Sequence, residues 1–312
     1  MITIMGASGN TGNPLARRLL ESGVEVRVLG RSAAKLEPLA LAGADVVTGD
    51  ATDADYLARA FDGADAVYTL LPDDFTSTEH RAWQDRIGEA ITKAIRSSGV
   101  GHVVFVSSLG ADIPEGHGLT EALHAHEVRI HTLTGVNVLI LRNGWYFENF
   151  FGTLGLIKNQ GINGGAVAPD LSIPMIAGRD ISEVAAAALR ERDFDGIRVQ
   201  ELWGERDLTF IEATRIIGDR IGLPSLQYVQ FPYDDYAASL VQAGFSHDVA
   251  WLFTEMSRGL NEGRMKPNET RGAANTTPTR FEVFVDEVVV DADNAACTAR
   301  ALRSTCRGLR TA

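Results

Sequence analysis

The chain has 312 residues, 45% of them hydrophobic, with 31 Gly and 10 Pro, enough to bury one large α/β domain or such a domain with a smaller lobe. A formal net charge of −12 argues against a nucleic-acid partner, which requires basic surface, and no apolar stretch reaches the roughly 18 residues of a membrane helix. Only two cysteines occur, Cys297 and Cys306, away from every motif, which fits free thiols in a reducing compartment better than a disulfide or a metal pair.

In chain order, residues 1–5 read as a first strand that leads directly into a motif, with no basic segment before it. That predicts a chain without a signal peptide and a cytoplasmic location. Pro14, Leu15 and Leu19 mark the following helix, and Val24, Val26 and Val28 alternate as a second strand. Further strands are expected at 44–48, 64–71, 102–107 and 136–141, separated by helices at 33–41, 54–61, 76–97 and 119–133. Each of these helices closes near a glycine (Gly43, Gly63, Gly99, Gly135), which suits a left-handed cap. Six strands with a helix between each pair predict an α/β fold, a doubly wound parallel Rossmann sheet.

After Gly144 the rhythm breaks. Residues 152–178, rich in Gly and Pro, read as a long loop across the mouth of the sheet. A helix at 182–191 capped by Asp180, a strand at 198–203, a helix at 209–221 and a short strand at 226–231 follow, then two more helical patterns. Residues 266–279 read as a polar loop, and Thr277-Pro278 as the opening of a helix that aligns Phe281, Phe284, Val285 and Val288 on one face. The expected division is a dinucleotide domain at 1–150, a smaller C-terminal α/β substrate lobe at 151–290 interleaved with it, and an Arg-rich tail at 291–312.

The strongest signal is Gly6-Ala7-Ser8-Gly9-Asn10-Thr11-Gly12, between a strand and a helix. Glycines there let backbone N–H groups and a helix N-terminus approach a pyrophosphate. The second strand ends at Gly30-Arg31-Ser32, nineteen positions after Gly12. An acid at that tip would hold a ribose 2′-hydroxyl; Arg31, with Ser32 and Lys35 in reach, suits a 2′-phosphate and so NADP, unless Arg31 is simply a solvated surface residue. Asp50, with Ala51 beside it at the end of strand three, is placed to accept from an adenine amino group. Leu70, Leu71 and Pro72, ending strand four, are placed beside the pyrophosphate and nicotinamide ribose.

With the Gly6 motif, Arg31, Gly49-Asp50, Val106-Ser107-Ser108 and the segment 141–149 in view, the chain resembles the NmrA-like atypical short-chain dehydrogenases, in particular their quinone-reducing and ergot-alkaloid-reducing branches. The resemblance covers about residues 1–290, including Asp180-Ile181 and Thr277-Pro278-Thr279. It implies an NADP(H)-dependent reductase with cofactor contacts at Ser107, Asn143 and Tyr146. Two departures stand out. Arg142-Asn143-Gly144 replaces the usual Arg-Pro-Gly, and Thr120 and His124 occupy the Tyr and Lys positions of the Tyr-x-x-x-Lys pair of the wider superfamily.

Threonine cannot serve as an acid near neutral pH, so the usual proton donor is missing. His124 is the candidate to donate a proton or to hold the ribose, or else it is a packed histidine without a role. Ser108 is a second catalytic candidate, facing nicotinamide or a substrate oxygen, with strand-end capping as the alternative for it and for Ser107. His117, His124, His126 and His131 lack zinc-site spacing, so no metal is expected. Trp145, Tyr146, Phe147, Phe150 and Phe151, five aromatics in seven positions, suit a flat apolar substrate contacted by Trp145, Phe147, Asn149 and Phe150, or else form a core beneath the lobe. The expected function is an NADPH-dependent reductase of a quinone, enone or iminium, without nucleic-acid or membrane partner and with a homodimer left open. The rivals are a non-catalytic NADP(H)-binding redox sensor and, more weakly, an isomerase or epimerase.

Overall fold

The computed structural model describes residues 1–287. Cys297, Cys306, Val288 and the Arg-rich tail lie outside the described residues. The chain alternates strand and helix through β1 (Ile2–Ile4), α1 (Gly12–Glu21), β2 (Val26–Gly30), α2 (Ala33–Leu41), β3 (Asp45–Thr48), α3 (Ala54–Phe61), β4 (Ala66–Leu70), α4 (His80–Ser98), β5 (His102–Ser108), α5 (Glu121–Ile130) and β6 (Asn137–Asn143). Local chemistry sets several of these bounds. Asp53 caps α3 by accepting from the amides of Asp55 and Tyr56, and Gly99, at φ +70°, ends α4 in the left-handed region. The helix expected from residue 76 begins only at His80, because Asp74 accepts from the amide and hydroxyl of Thr76 and holds a turn instead. The helix expected from residue 119 begins as a single 3₁₀ turn at Gly118–Thr120 before α5.

Beyond β6 come β7 (Trp145–Tyr146), α6 (Leu154–Gln160), β8 (Ile162–Gly165), β9 (Ile173–Ile176), α7 (Gly178–Glu191), β10 (Ile197–Leu202), β11 (Asp207–Leu208), α8 (Phe210–Arg220), β12 (Gln227–Gln230), α9 (Tyr233–Gln242) and α10 (His247–Asn261). The main sheet has seven parallel strands in the order β10-β6-β5-β4-β1-β2-β3, so β10 adds a seventh strand beside β6. This is the doubly wound α/β architecture. β4 and β5 are buried along almost their whole length because helices cover both faces. Leu15 and Leu19 of α1, Leu36 and Leu39 of α2 and Ile181 and Leu189 of α7 pack on one face. Phe61 of α3, Ile87, Ile91 and Ile95 of α4 and Ile130 of α5 pack on the other.

The segment 152–178 is not a long loop. It carries α6, β8 and β9; β9 pairs with β7 and β11, and β8 with β12, forming two small sheets apart from the main one. One of its glycines is required by packing: a Cβ on Gly164 would meet the Phe231 ring at 2.7 Å. Asp180 does not cap α7, whose N-cap is Ala177; it lies in the first turn and accepts from the amide (3.0 Å) and hydroxyl (2.6 Å) of Thr279. The helix expected from Thr277-Pro278 begins at Phe281, because Thr277 pairs with Trp203 and Thr279 with Asp180 in extended backbone. Phe281, Phe284 and Val285 do bury one face together with Phe147, Phe150 and Phe210 in a third core cluster.

Candidate functional site

The turn after β1 is built by backbone contacts that exclude side chains. Gly6 sits at φ +65°, and its carbonyl accepts from the Gly9 amide at 2.9 Å. A Cβ on Gly12 would fall 2.4 Å from the Gly6 oxygen, so the turn closes only with glycine there. A Cβ on Gly9 would meet that same oxygen at 3.3 Å and otherwise open space. Ser8, Gly9 and Asn10 are exposed while Thr11 is buried. Thr11 is fixed from two sides: the Tyr68 hydroxyl donates to its Oγ1 at 2.7 Å, and Ser182 of α7 donates to its carbonyl at 2.7 Å. Burial raises the Tyr68 phenol far above its usual range, so it acts here as a fixed donor. An open, glycine-lined cradle at the start of α1 fits a pyrophosphate.

At the tip of β2, Arg31 is exposed and makes no ion pair among the described residues. Ser32 is the N-cap of α2 without a side-chain capping bond, and Lys35 is exposed in the first turn. Two cations and a hydroxyl thus gather at one helix start, a donor set that could hold a phosphate. Across from them the Asp74 carboxyl is held below its usual range by the Thr76 hydroxyl and amide, with a smaller contribution from Arg31. Asp50 accepts from both the amide and hydroxyl of Thr52 at 2.9 Å through one oxygen, and Ala51 beside it is half-buried.

The ends of β4, β5 and β6 form the floor. Leu70 packs over Gly6, Leu71 is buried, and the Pro72 carbonyl accepts from Gln84 at 3.0 Å. Ser107 is 3% exposed and its hydroxyl donates to Glu127 at 2.6 Å, so it has no proton to offer a ligand; Ser108, half-buried, makes no side-chain bond among the described residues. Glu127 in turn accepts the two-pronged fork of Arg142 at 3.1 and 2.6 Å. This buried pair escaped the sequence reading, whose signal would have been two opposite charges on otherwise apolar faces. Asn143, fully buried, donates to the Ser107 carbonyl at 3.0 Å and the Tyr146 hydroxyl at 3.3 Å, while its Oδ1 has no partner among the described residues. Burial pushes the Tyr146 phenol up, so Tyr146 is a poor acid.

Thr120 is buried and locked to His117: its hydroxyl lies 3.1 Å from the His117 carbonyl and 2.5 Å from the ring Nδ1. His124, half-buried, places Nδ1 2.9 Å from the Ala111 carbonyl. A carbonyl can only accept, so Nδ1 carries the proton and the neutral ring presents Nε2 as an acceptor. Nε2 is therefore the nitrogen left to meet a further partner. His126 points away into the core, edge-on to Phe105 at 4.7 Å.

Of the two readings of the aromatic run after β6, the packing of Phe147 and Phe150 fits the core. Phe147 and Phe150 are 1% and 6% exposed and pack against Phe281, so neither ring is free to face a substrate. Trp145 is half-buried against Phe210, and Asn149 is exposed. Glu148, within this run, accepts from the Gly178 amide at 3.0 Å at the start of α7, and burial raises its carboxyl. A cavity of about 650 Å³ opens between α9 and α10, lined by Tyr233, Trp251 and Arg258 among others; none of the strand-end residues reaches it.

Residues 6–192 match the model of the NAD(P)H-binding family. The chain is 27% identical to quinone oxidoreductase 2 of Escherichia coli (strain K12) over 84% of its length and 89% of the relative's. It is 32% identical to an NmrA-like family domain-containing oxidoreductase of Aspergillus japonicus over 48% of each chain. The crystal structure of the NADPH-dependent quinone oxidoreductase of Escherichia coli in complex with NADPH shares the fold, with a TM-score of 0.77 at 24% identity over 92% of this chain and 99% of the other.

Proposed function

The chain belongs to the NAD(P)H-binding family, and from that premise we propose that it is an NADPH-dependent reductase that passes hydride to a flat, conjugated acceptor such as a quinone, enone or iminium. The bound dinucleotide would supply the hydride. The Gly6–Gly12 turn would hold its pyrophosphate, and Arg31 with Ser32 and Lys35 its 2′-phosphate, with Asp50 accepting from the adenine. His124 Nε2 would accept from the ribose, and Ser108 would face the acceptor. The lobe at 151–290 would close the acceptor side.

The observation that carries the choice of acceptor is the lock on Thr120. Hydride transfer to a simple ketone develops alkoxide charge that needs a nearby acid of suitable pKa. Thr120 is no such acid, the Tyr146 phenol is pushed out of range, and His124 has its Nδ1 committed to the Ala111 carbonyl. A quinone or enone spreads the developing charge, and an iminium is neutralised by hydride alone. Steady NADPH oxidation with a panel of quinones, enones, iminium ions and aliphatic ketones tests this. Conjugated acceptors are expected to turn over far faster; aliphatic ketones reduced as fast, with His124→Ala unaffected, would mean another acid is present. The same lock also favours a sensor that binds NADP(H) without turnover, and tight binding with no oxidation by any acceptor would establish that reading instead.

A further inference from the structure

We infer that the flat acceptor stacks on Phe75, in the loop after β4, and not on the aromatic run after β6. The inference rests on the reductase reading and names the surface that would select a planar ring.

Phe75 leaves the sheet at the same edge as the glycine turn, three residues beyond Pro72. Its ring stacks on Phe245 at 5.0 Å and 22° and meets Phe253 at 5.7 Å, yet remains 40% exposed. An aromatic ring packed on two others that still keeps this much exposed area presents apolar surface that water solvates poorly. The loop is clamped from two directions. Ser246, just before α10, donates its amide to the Phe75 carbonyl at 2.9 Å and its hydroxyl to the Ser77 carbonyl at 2.5 Å. The His80 amide donates to Asp248 of α10 at 2.8 Å, and the buried His80 ring lies 3.1 Å from the Asp74 carbonyl. A ring held this way loses little further freedom when a ligand stacks on it.

The surroundings continue the surface. Phe253 on α10, Ile113 and Leu119 after β5, and Trp145 after β6 are all partly buried against one core cluster. Of these, Phe253 touches Phe75 directly, with ring centroids 5.7 Å apart. α10 is seated closely on the turn before α5: a Cβ on Gly118 would fall 2.0 Å from the Leu252 carbonyl. Phe253, the next residue of α10, is thereby held beside both the turn before α5 and Phe75.

The test compares Phe75→Ala, Phe75→Leu and Phe75→Tyr, with circular dichroism as a check of folding. Three quantities are read: binding of a two-ring naphthoquinone to NADP⁺-loaded protein, KM for that quinone against KM for a small acyclic enone, and the Kd for NADP⁺. Loss of the ring in the Ala and Leu variants should weaken quinone binding and raise its KM about tenfold, with the enone KM and the NADP⁺ Kd within about twofold and Phe75→Tyr close to wild type. Equal changes for both acceptors, or a matching loss of NADP⁺ affinity, would show that Phe75 only props the loop and would overturn the inference. A shift in solution mass with unchanged quinone binding would make Phe75 an interface residue and overturn it too. Should the wild type oxidise NADPH with no acceptor, the reductase reading fails, and the binding arm alone decides the stacking surface: equal quinone titrations for wild type and Phe75→Leu overturn it.

Discussion

The turn after β1 and the aromatic segment after β6 are both short, both rich in one residue type and both at the same edge of the sheet, yet they work in opposite ways. The turn acts through what its residues lack: Gly6, Gly9 and Gly12 leave the backbone bare, and the side chains that matter, Tyr68 and Ser182, come from elsewhere to brace Thr11. The aromatic segment acts through side-chain bulk, and that bulk turns inward to Phe281 and Phe210. A backbone site keeps its function wherever it is placed in the fold. A side-chain site depends on which way the chain happens to face.

The sharpest break of that contrast is at the turn. Gly9→Val introduces a side chain where a Cβ meets only the Gly6 oxygen and open space, so the fold should survive while NADPH binding is abolished. Isothermal titration on a variant with wild-type circular dichroism checks it, and retained affinity would remove the turn as the pyrophosphate site.

Next in size is the buried pair under the floor. Glu127→Ala leaves Arg142 without its partner and Ser107 without its acceptor, and removing one member of a buried pair costs about 3–5 kcal/mol. Urea unfolding should show that loss, and a change below about 1 kcal/mol would mean that water already screens the pair.

Arg31→Ala is expected to cost about 1–3 kcal/mol in NADPH binding, the range for a charge-assisted bond, while NADH binding barely changes. If both cofactors weaken alike, Arg31 does not read the 2′-phosphate.

The last effect appears only on acidification and concerns His126, whose ring nitrogens have no partner among the described residues. Burial, helped by the Arg129 charge, lowers its pKa from 6.5 to about 3. Between those values the unfolded chain takes up a proton that the folded chain refuses, so stability falls as pH drops from 6.5 toward 3 and is unaffected above that window. His126→Leu removes this contribution and the unpaired nitrogens together, so it should flatten the acid limb without lowering stability at pH 7. Urea midpoints at pH 7 and pH 5 decide it; parallel loss in both proteins would show that other groups set the limb.

Much of the first half was legible in the sequence because its signals are local. The helices Ala33–Leu41 and Ala54–Phe61 stand where periodicity put them, the strand-turn-helix glycine pattern carried the dinucleotide fold, and the NmrA-like resemblance agrees with the relatives found. Each of those readings depends on residues a few positions apart, whose geometry follows from repeat period and backbone sterics. The tertiary structure decided the rest. It turned a supposed loop at 152–178 into α6, β8 and β9, and drew β10 into the main sheet beside β6. It also decided between substrate surface and core for Phe147 and Phe150 in favour of the core, and joined Ser107, Glu127 and Arg142 in one buried network. These outcomes depend on partners far away in the chain, such as Phe281 for Phe147 and Thr279 for Asp180. Hydrophobic burial has no direction of its own, so an aromatic ring in a sequence announces that it will be covered but not by what; only the packed chain supplies the partner.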